Sequence, residues 1–319
     1  MANAGRCDGA KALLLRALES FSVVVALASL TFFAFRLLPG DPARLVLGDD
    51  ASPIALAQVR AELHLGESLG AQYVRFLLGL FTWDLGDSLR HPGVSAMALV
   101  AAALGPTARL ACLAVGFGAS LGLVAASLVT GPWLPPLGQK CVESGLSVVA
   151  SIPLLALAPV ATWLLAVRAR LLPLPGDPDA GGCGLAFAAF LLAIPLAAHV
   201  GRVGSAALID IAREPFLVVA RAKGNRAARV WIVHALPVAA GPILVVVSSQ
   251  LGALLGGAVV LERMFERWGL GMLILEAYQA RDLPVIEGAV VAAGGIFVVV
   301  HTLGTAVHLA LDPRARSAR

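Results

Sequence analysis

The chain has 319 residues, of which 59% are hydrophobic and only 14% are charged, and its formal net charge is +4. Water-soluble domains carry about 25% charged residues, so this chain lacks the polar surface that a soluble globular protein needs. The composition excludes that class and predicts an all-α polytopic membrane protein, because helices satisfy their own backbone hydrogen bonds in lipid.

Six mainly apolar runs are long enough to cross a hydrocarbon core of about 30 Å as helices. They cover residues 21–38, 107–130, 144–167, 184–203, 238–261 and 286–311. The first run is also compatible with the core of a cleaved signal peptide. However, it continues into FFAFRLLPGDP, where bulky residues stand in place of the small residues of a cleavage site. We therefore expect a retained transmembrane helix, and six spans in total.

The distribution of basic residues predicts the orientation. With the N-terminus inside, the inside segments hold 13 Lys and Arg residues and the two short outside loops hold 5. The segment between the first two spans is left out of the count, because long loops obey the positive-inside rule poorly. Both termini are therefore predicted to be cytoplasmic. The predicted regions are a cytoplasmic segment (1–20), the first span (21–38), an outside segment with short helices (39–106), a core with five spans (107–311) that includes a cytoplasmic loop (204–237), and a cytoplasmic tail (312–319).

The outside segment contains two helix signals. In DDASPIALAQVRAELHL, Ser52 is a plausible N-cap and Pro53 suits the first helical position. In AQYVRFLLGLF, four apolar residues share one face of a helix: Tyr73, Phe76, Leu77 and Leu80. Two interpretations stay open for this second helix, namely a position at the membrane interface and packing against the outer ends of the spans.

Small residues and prolines predict how the spans pack. Two runs carry closely spaced glycines, which let helix backbones approach in lipid. These glycines are Gly116, Gly118, Gly122, Gly252, Gly256 and Gly257. Pro153, Pro159 and Pro195 lie inside apolar runs, where each is expected to kink its helix.

The predicted cytoplasmic loop contains a helix. Residues 205–222 have a helical pattern, with Ile211, Phe216 and Val219 available to an apolar face. Gly224 is a natural stop at the C-terminal end of this helix.

The end of that helix is cationic and is followed by a second helical stretch. Arg221 and Lys223 fall in the last turn, where positive charge suits the helix dipole. NRAARVWIVHAL then leads to Pro237 and the fifth span. The positive-inside rule accounts for the charges, but it does not account for a helix, a glycine break and a second helix between two spans.

This order of residues resembles the cytoplasmic loop of permease subunits of bacterial binding-protein-dependent ABC importers. That loop reads Glu-Ala-Ala, three residues, Gly, nine residues, Ile, one residue, Leu-Pro. ARAKG and HALP match it at Gly224, Leu236 and Pro237. The sequence departs from the pattern at Val218, where Glu is expected, and at His234, where Ile is expected. Both departures look like the dipeptide, oligopeptide and nickel branch.

The resemblance to that branch extends over nearly the whole chain. The order of the matching segments resembles the first of the branch's two permease subunits. The segments that carry it, in order, are RLLPGDPARLVLGDDASP, QYVRFLLGLFTWDLGDSLR, SIPLLALAP, QLGALLGGAVVLERMFERWGLGMLILEA, RDLPVIEG and LDPRAR. The resemblance implies the type I ABC importer permease fold with six transmembrane helices in the bacterial inner (cytoplasmic) membrane. Besides contact with the lipid membrane, it implies four protein partners: a second homologous permease that completes a heterodimer, two cytoplasmic ABC ATPase subunits and an extracytoplasmic solute-binding protein. No nucleic acid is expected.

In that family the short helix of the loop docks in a groove of the ATPase and couples ATP hydrolysis to alternating access. Ala220 and Ala222 would keep the helix thin enough to enter such a groove. The residues assigned to this coupling are Phe216, Val219, Ala220, Arg221, Ala222, Lys223, Gly224, His234, Leu236 and Pro237.

The energy is expected to come from the partners. A phosphate-binding loop needs Gly-x4-Gly-Lys-Ser/Thr, and none of Lys11, Lys140 and Lys223 has that setting. We therefore expect a non-catalytic subunit that binds no cofactor itself, with ATP and Mg held by the ATPases.

Polar residues within and beside the spans are candidates for transport. Ser248, Ser249 and Gln250 interrupt the fifth span and are predicted either to line the translocation pathway or to hydrogen-bond between helices. On the outer side, four charged residues are predicted to contact the binding protein or to form a solvated loop: Glu262, Glu266, Arg281 and Asp282.

Other classes of function fit less well. The chain shows no zinc-protease motif or nucleophile elbow, and its four cysteines have no spacing typical of a metal site or a disulfide framework, so no metal site is predicted. His301 and His308 share a helix face and are compatible with a nickel pathway, but no further ligand lies near them in sequence. Di- and oligopeptides are the favoured cargo. Nickel, another small solute and a purely structural role stay as alternatives.

Overall fold

The structure, a computed structural model, describes residues 4–36, 42–48 and 51–311. Within these residues the chain is built from helices, and its only β pairing is an isolated bridge between Asp87 and Ser95. The elements are α1 (Ala4–Arg36), α2 (Pro42–Leu47), α3 (Pro53–Glu62), α4 (Leu69–Thr82), α5 (Ala96–Thr130), α6 (Pro136–Ser151), α7 (Leu154–Thr162), a π-helix (Trp163–Arg168), a 3-10 turn (Pro178–Ala180), α8 (Gly181–Ile211), α9 (Pro215–Ala222), α10 (Ala227–Arg229), a second π-helix (Val230–Ala235), α11 (Leu236–Met264), α12 (Leu270–Ala280) and α13 (Leu283–Leu311).

Five helices in the described residues are long and apolar enough to cross a membrane. They are Leu18–Arg36, Ala96–Thr130, Gly181–Ile211, Ala227–Met264 and Leu283–Gly304. A bent pair of helices becomes a sixth span if it is counted as one, so each of the six predicted runs has its helix. Residues 37 and 38 of the first run, and the predicted tail at 312–319, lie outside the described residues.

The third span is broken, whereas a kinked helix was predicted for it. Its two parts, Pro136–Ser151 and Leu154–Arg168, meet at an angle of 109°. Between them, Ile152 and Pro153 have extended backbone, with ψ of 121° and 139°. Proline has no amide hydrogen to donate and disfavours helical geometry in the residue before it, which explains a full break at this position.

The two helix signals of the outside segment are confirmed. Ser52 caps α3, and its hydroxyl accepts a hydrogen bond from the Ala55 amide at 3.2 Å. Helix α4 packs its predicted apolar face on α1, where the hydroxyl groups of Tyr73 and Ser29 lie 2.6 Å apart. Packing against the first span is therefore the interpretation that the structure supports. The opposite face of α4 is also apolar and exposed, at Leu78 for example.

The described residues divide into two compact units. The first comprises the described chain up to Thr107 together with Trp268–Val299. One of its clusters joins α1, α4 and α13 around Phe32 and Phe76, and another joins α5, α12 and α13. At the start of α12, the buried hydroxyl of Thr107 accepts a hydrogen bond from the Leu270 amide at 2.7 Å, which satisfies one of the free amides at that helix end.

The second unit comprises Ala108–Arg267 and the described residues from Val300 onward, with α8 at the centre of its core. Glycines on the neighbouring helices allow the close approach that was predicted. A Cβ atom at Gly122 would lie 2.6 Å from the Val200 Cβ, and one at Gly257 would lie 2.7 Å from Leu154. The prediction is wrong for Gly116 and Gly256, where a Cβ atom would meet nothing within 4 Å because both face open space.

Candidate functional site

The site begins where the chain leaves α8 and forms the short helix α9. One continuous helix was predicted over residues 205–222, but α8 ends at Ile211 and α9 starts at Pro215. The reason for the break is local. Pro215 occupies the first turn, where its missing amide hydrogen costs nothing, and it keeps Glu214 extended with ψ of 139°.

The inner face of α9 anchors it to the chain. Leu217 is fully buried and Ala220 is 6% exposed, and both pack in a cluster with Leu208 of α8 and Trp231. Of the three residues predicted for an apolar face, Ile211 packs against this cluster, whereas Phe216 and Val219 are exposed. The burial corrects the role given to Ala220, whose methyl group packs against the chain's own core and does not thin the outer surface of the helix.

The outer face of α9 is apolar and exposed, with cations at its C-terminal end. Val218 is 57% and Val219 is 53% exposed. Ala222 shares this face because it lies four and three residues after them, which is about one helical turn. Arg221 and Lys223 are exposed beside it. The exposure of Val218 was not predicted, because in the loop motif this residue only marks a departure from the expected glutamate.

Gly224 ends the helix as predicted. Its φ of +75° lies in the left-handed region, which glycine adopts without strain, and its amide donates to the Arg221 carbonyl at 3.0 Å. The Asn225 side chain donates to the Ala220 carbonyl at 2.9 Å and so closes the last turn. The direction of α9 is thus fixed at both ends.

The second helical stretch is confirmed, but part of it is π-helical. Residues Val230–Ala235 form a π-helix that runs into α11 at Leu236. His234 and Leu236 are half-buried within this stretch, and Pro237 is exposed in the first turn of α11. These three are therefore set apart from the exposed face of α9.

Trp231 is a residue of this region that sequence reasoning did not find. Its side chain is 4% exposed and lies under α9, and its indole Nε1 has no hydrogen-bond partner in the described part of the chain. π-Helical turns occur frequently at functional sites. No periodicity in the sequence signals the extra residue that turns an α-helix into a π-helix.

The three polar residues of the fifth span lie on different sides of α11. Ser248 is buried, its hydroxyl donates to the Leu244 carbonyl, and a Cβ atom at Gly304 of α13 would collide with it. Ser248 therefore lies in the contact between α11 and α13, and its hydroxyl bonds within its own helix. Ser249 is exposed and donates to its own helix, and Gln250 lines a cavity at the break of the third span.

The four charged residues predicted for the outer surface divide into two pairs. Glu262 is 1% and Asp282 is 2% exposed, so the prediction of a surface contact is wrong for both. Glu266 and Arg281 are exposed, and both have positive φ, at 50° and 57°.

Asp282 instead organises an outer loop within the first unit. Its carboxylate accepts hydrogen bonds from the Ser88 hydroxyl, from the Leu89 amide at 3.1 Å and from the Arg90 amide at 3.3 Å. A buried carboxylate is tolerated when it is hydrogen-bonded in this way. The sequence carries no sign of this pairing, because the partners lie more than 190 positions apart.

Two family models together cover most of the chain. Residues 118–317 match the model described as the binding-protein-dependent transport system inner membrane component. Residues 10–94 match the N-terminal model of membrane components of the same systems. The chain belongs to this family.

Relatives of this permease are similar to it over nearly their whole length. A Brucella abortus protein named as a peptide transport system permease is 33% identical over 316 residues, 95% of this chain and 98% of the relative. A glutathione transport system permease of Pectobacterium atrosepticum is 32% identical over 90% of this chain and 92% of its own. A dipeptide transport system permease of Alkalihalophilus pseudofirmus is 29% identical over 94% and 98%.

Family membership confirms the resemblance that the loop motif indicated. The permease is a multi-pass, all-α membrane protein of the peptide and nickel branch of ABC importers, and such a subunit works with an ATPase and a solute-binding protein. The larger of the two matches contains the whole loop from α8 to α11, including α9 and its π-helical return to the membrane.

Proposed function

We propose that the chain is the transmembrane subunit of an ATP-driven importer that moves di- and oligopeptides across the cytoplasmic membrane by alternating access. A second, homologous permease completes a heterodimer, two ATPase subunits bind ATP and Mg, and this chain catalyses no reaction. Both termini and α9 lie in the cytoplasm. The excess of basic residues in the inside segments supports this orientation.

The observation that carries the proposal is that one face of α9 is buried and the other face is apolar and exposed. Its inner face is fixed by Leu217, whereas Val218 and Val219 present an apolar surface where membrane lipid does not cover it in this orientation. Contiguous exposed apolar surface marks a docking site, and a helix that lays such a face in a groove is a common mode of recognition. The exposed Arg221 and Lys223 suit an acidic rim on the ATPase.

The cargo and the outer contact are proposed on separate grounds. Relatives similar over nearly their full length are named for peptide, dipeptide and glutathione transport, which supports a peptide cargo.

The contact with the binding protein is proposed for Glu266 and Arg281. Both are exposed, as predicted for residues at the outer ends of the fifth and sixth spans.

The test compares partner binding by the tagged wild-type chain with that of the double variant Val218→Asp/Val219→Asp. Both are extracted from native membranes in mild detergent, and the co-purifying proteins are identified by mass spectrometry. The wild type is expected to bring down a second permease, one or two ATPases and an exported binding protein. The variant should lose the ATPases and keep the second permease, because carboxylates in an apolar groove are costly to desolvate.

The matched control is Leu137→Asp, which changes a 75% exposed leucine in the first turn of α6, at the end of the third span that is predicted to be cytoplasmic. It should retain every partner. The proposed coupling role of α9 fails if the double variant binds the ATPases as the wild type does, and equal loss in the control would indicate a nonspecific effect of added charge. The importer itself is refuted if the folded wild-type chain recovers no ATPase under any detergent tried.

A further inference from the structure

A cavity of about 340 Å³ lies within the second unit, where the third span breaks. Its walls come from the break itself at Ile152 and Pro153, from α8, and from one side of α11. This volume falls at the lower end of the range of about 300–1,000 Å³ typical of small-molecule sites.

The lining is apolar apart from a single amide. Among the described residues that line the cavity, Gln250 is the only one with a polar side chain, and the others are aliphatic residues, prolines and glycines. No group in the described chain hydrogen-bonds to the Gln250 amide. Gln250 is the fifteenth residue of the 29-residue helix α11, so the amide lies midway along the span.

The break makes lipid a poor occupant of this cavity. At the break, the Ile152 amide donates to the Val149 carbonyl at 3.2 Å, and the Pro153 carbonyl accepts from the first turn of α7. The last carbonyl groups of α6, however, have no partners within their own helix. In a membrane such backbone is tolerated where it is covered by protein or lines a water-filled cavity, and it does not face hydrocarbon. The unpartnered amide of Gln250 leads to the same conclusion, because an amide in hydrocarbon loses the hydrogen bonds that water or a polar ligand would give it.

We propose that this cavity is a side-chain subsite of the transport pathway, which holds an aliphatic side chain of the passing peptide while the Gln250 amide pairs with a peptide bond. The inference rests on the proposed peptide import, and it identifies the residues of this chain that would contact the peptide during transport. An amide both donates and accepts, so it matches the peptide bond, which does the same. Aliphatic walls suit the side chains of leucine or valine.

The structure offers a clean way to fill the cavity. A Cβ atom at Gly256 would meet nothing within 4 Å, so Gly256→Leu attaches a side chain at the wall of the cavity without a collision at its Cβ atom. Gly257 is unsuitable because its Cβ would collide with Leu192 and Leu154. The matched control is Gly116→Leu, which adds the same group to another span glycine that has open space and lies away from the cavity.

The experiment measures ATP-dependent uptake of radiolabelled Ala-Ala and Leu-Leu by the complete transporter in proteoliposomes. Affinity of the purified binding protein for each peptide is measured separately and used to set saturating concentrations. Gly256→Leu should lower Leu-Leu uptake about tenfold or more and change Ala-Ala uptake less than twofold, since one or a few methylene groups in a hydrophobic pocket discriminate on this scale. Gln250→Leu should lower uptake of both peptides about tenfold, because both carry the peptide bond.

The outcomes separate the two proposals. If the wild type imports both peptides and Gly256→Leu affects them equally, or affects neither, the subsite is refuted and the importer stands. If Gly116→Leu discriminates between the peptides as Gly256→Leu does, the cavity is not the cause and the subsite is again refuted. If the wild type imports neither peptide although the binding protein binds them, the peptide importer is refuted and the subsite with it.

Discussion

The ion pair between Arg36 and Glu287 allows a quantitative test of the first unit. The two side chains are 14% and 5% exposed, and the guanidinium Nη1 donates to the Glu287 carboxylate. The same guanidinium donates from Nε to Gln72 at 3.1 Å and lies 3.8 Å from the centre of the Phe32 ring. Arg36 therefore joins α1, α4 and α13, and its removal has a larger effect than that of a surface charge.

Removing one partner leaves the other charge buried and alone, which costs about 3–5 kcal/mol. Glu287→Gln should lower the free energy of unfolding by an amount in that range. Arg36→Met should cost more, because it also loses the bond to Gln72, worth about 1 kcal/mol, and the ring contact, worth about 0.5–1 kcal/mol. In the double variant no charge is left unpaired. Its cost should be smaller than the sum of the two single costs by up to about 3 kcal/mol.

The measurement is unfolding of the purified chain in mixed micelles with rising SDS, followed by tryptophan fluorescence, since the sequence has five tryptophans. Arg36→Lys serves as a control that keeps the charge and loses the planar fork, and it should lie between the wild type and Arg36→Met. Additive costs of the two single variants would refute the reasoning, because additivity means that the groups do not interact.

Three further variants test other parts of the structure. Asp282→Ala should free the outer loop and raise the rate at which trypsin cleaves after Arg90 in right-side-out membranes, and an unchanged rate would show that the carboxylate does not hold the loop. Gly122→Ala should destabilise the chain by about 1–3 kcal/mol, because the added methyl meets Val200. Gly116→Ala, where the space is open, should have no such effect, and equal midpoints in SDS unfolding would contradict the packing argument. Gly224→Asp should leave membrane insertion intact but uncouple transport from ATP hydrolysis, because a side chain at φ of +75° strains the turn that aims α9; wild-type uptake in that variant would refute the role of the turn.

The sequence could predict what depends on local pattern. Run lengths located the spans, and the Ser-Pro signal at Ser52 located the start of α3, because both are properties of a few neighbouring residues. The position of Gly224 at the end of α9 followed in the same way from its freedom to adopt positive φ. The loop that carries the candidate site and the C-terminal end of α9 could thus be found from the order of residues, whereas the start of α9 at Pro215 was not.

The pairing of charged residues could not be predicted in this way. Asp282 and Glu262 were expected at the surface because isolated carboxylates are seldom buried. Asp282 is buried because the Ser88 hydroxyl and two amides of the same loop reach it from a distant part of the chain. Burial of a charge depends on such partners, and a single sequence does not state which distant residues meet.

The orientation of α9 was ambiguous for a different reason. Five of its first six residues are apolar, so a helical pattern exists on either side and periodicity alone does not decide which side is inner. The choice is made by Trp231 and the end of α8, which offer a pocket to Leu217. The 109° break at Pro153 is similar, because a proline predicts that a helix is disturbed, whereas the packing of both halves sets the angle.

The way in which α9 is attached determines what it can move. The connection through Gly224 and Asn225 is a turn that sets the direction of α9. The packing of Leu217 on Trp231 connects α9 to the fifth span, because Trp231 lies in the helical stretch Ala227–Met264, which continues into that span. From Leu236 to Gln250 this helix extends by about 21 Å at 1.5 Å per residue. A displacement of α9 must therefore either break the cluster around Trp231 or shift the foot of the span that carries Gln250, and a close-packed cluster of this kind favours the shift.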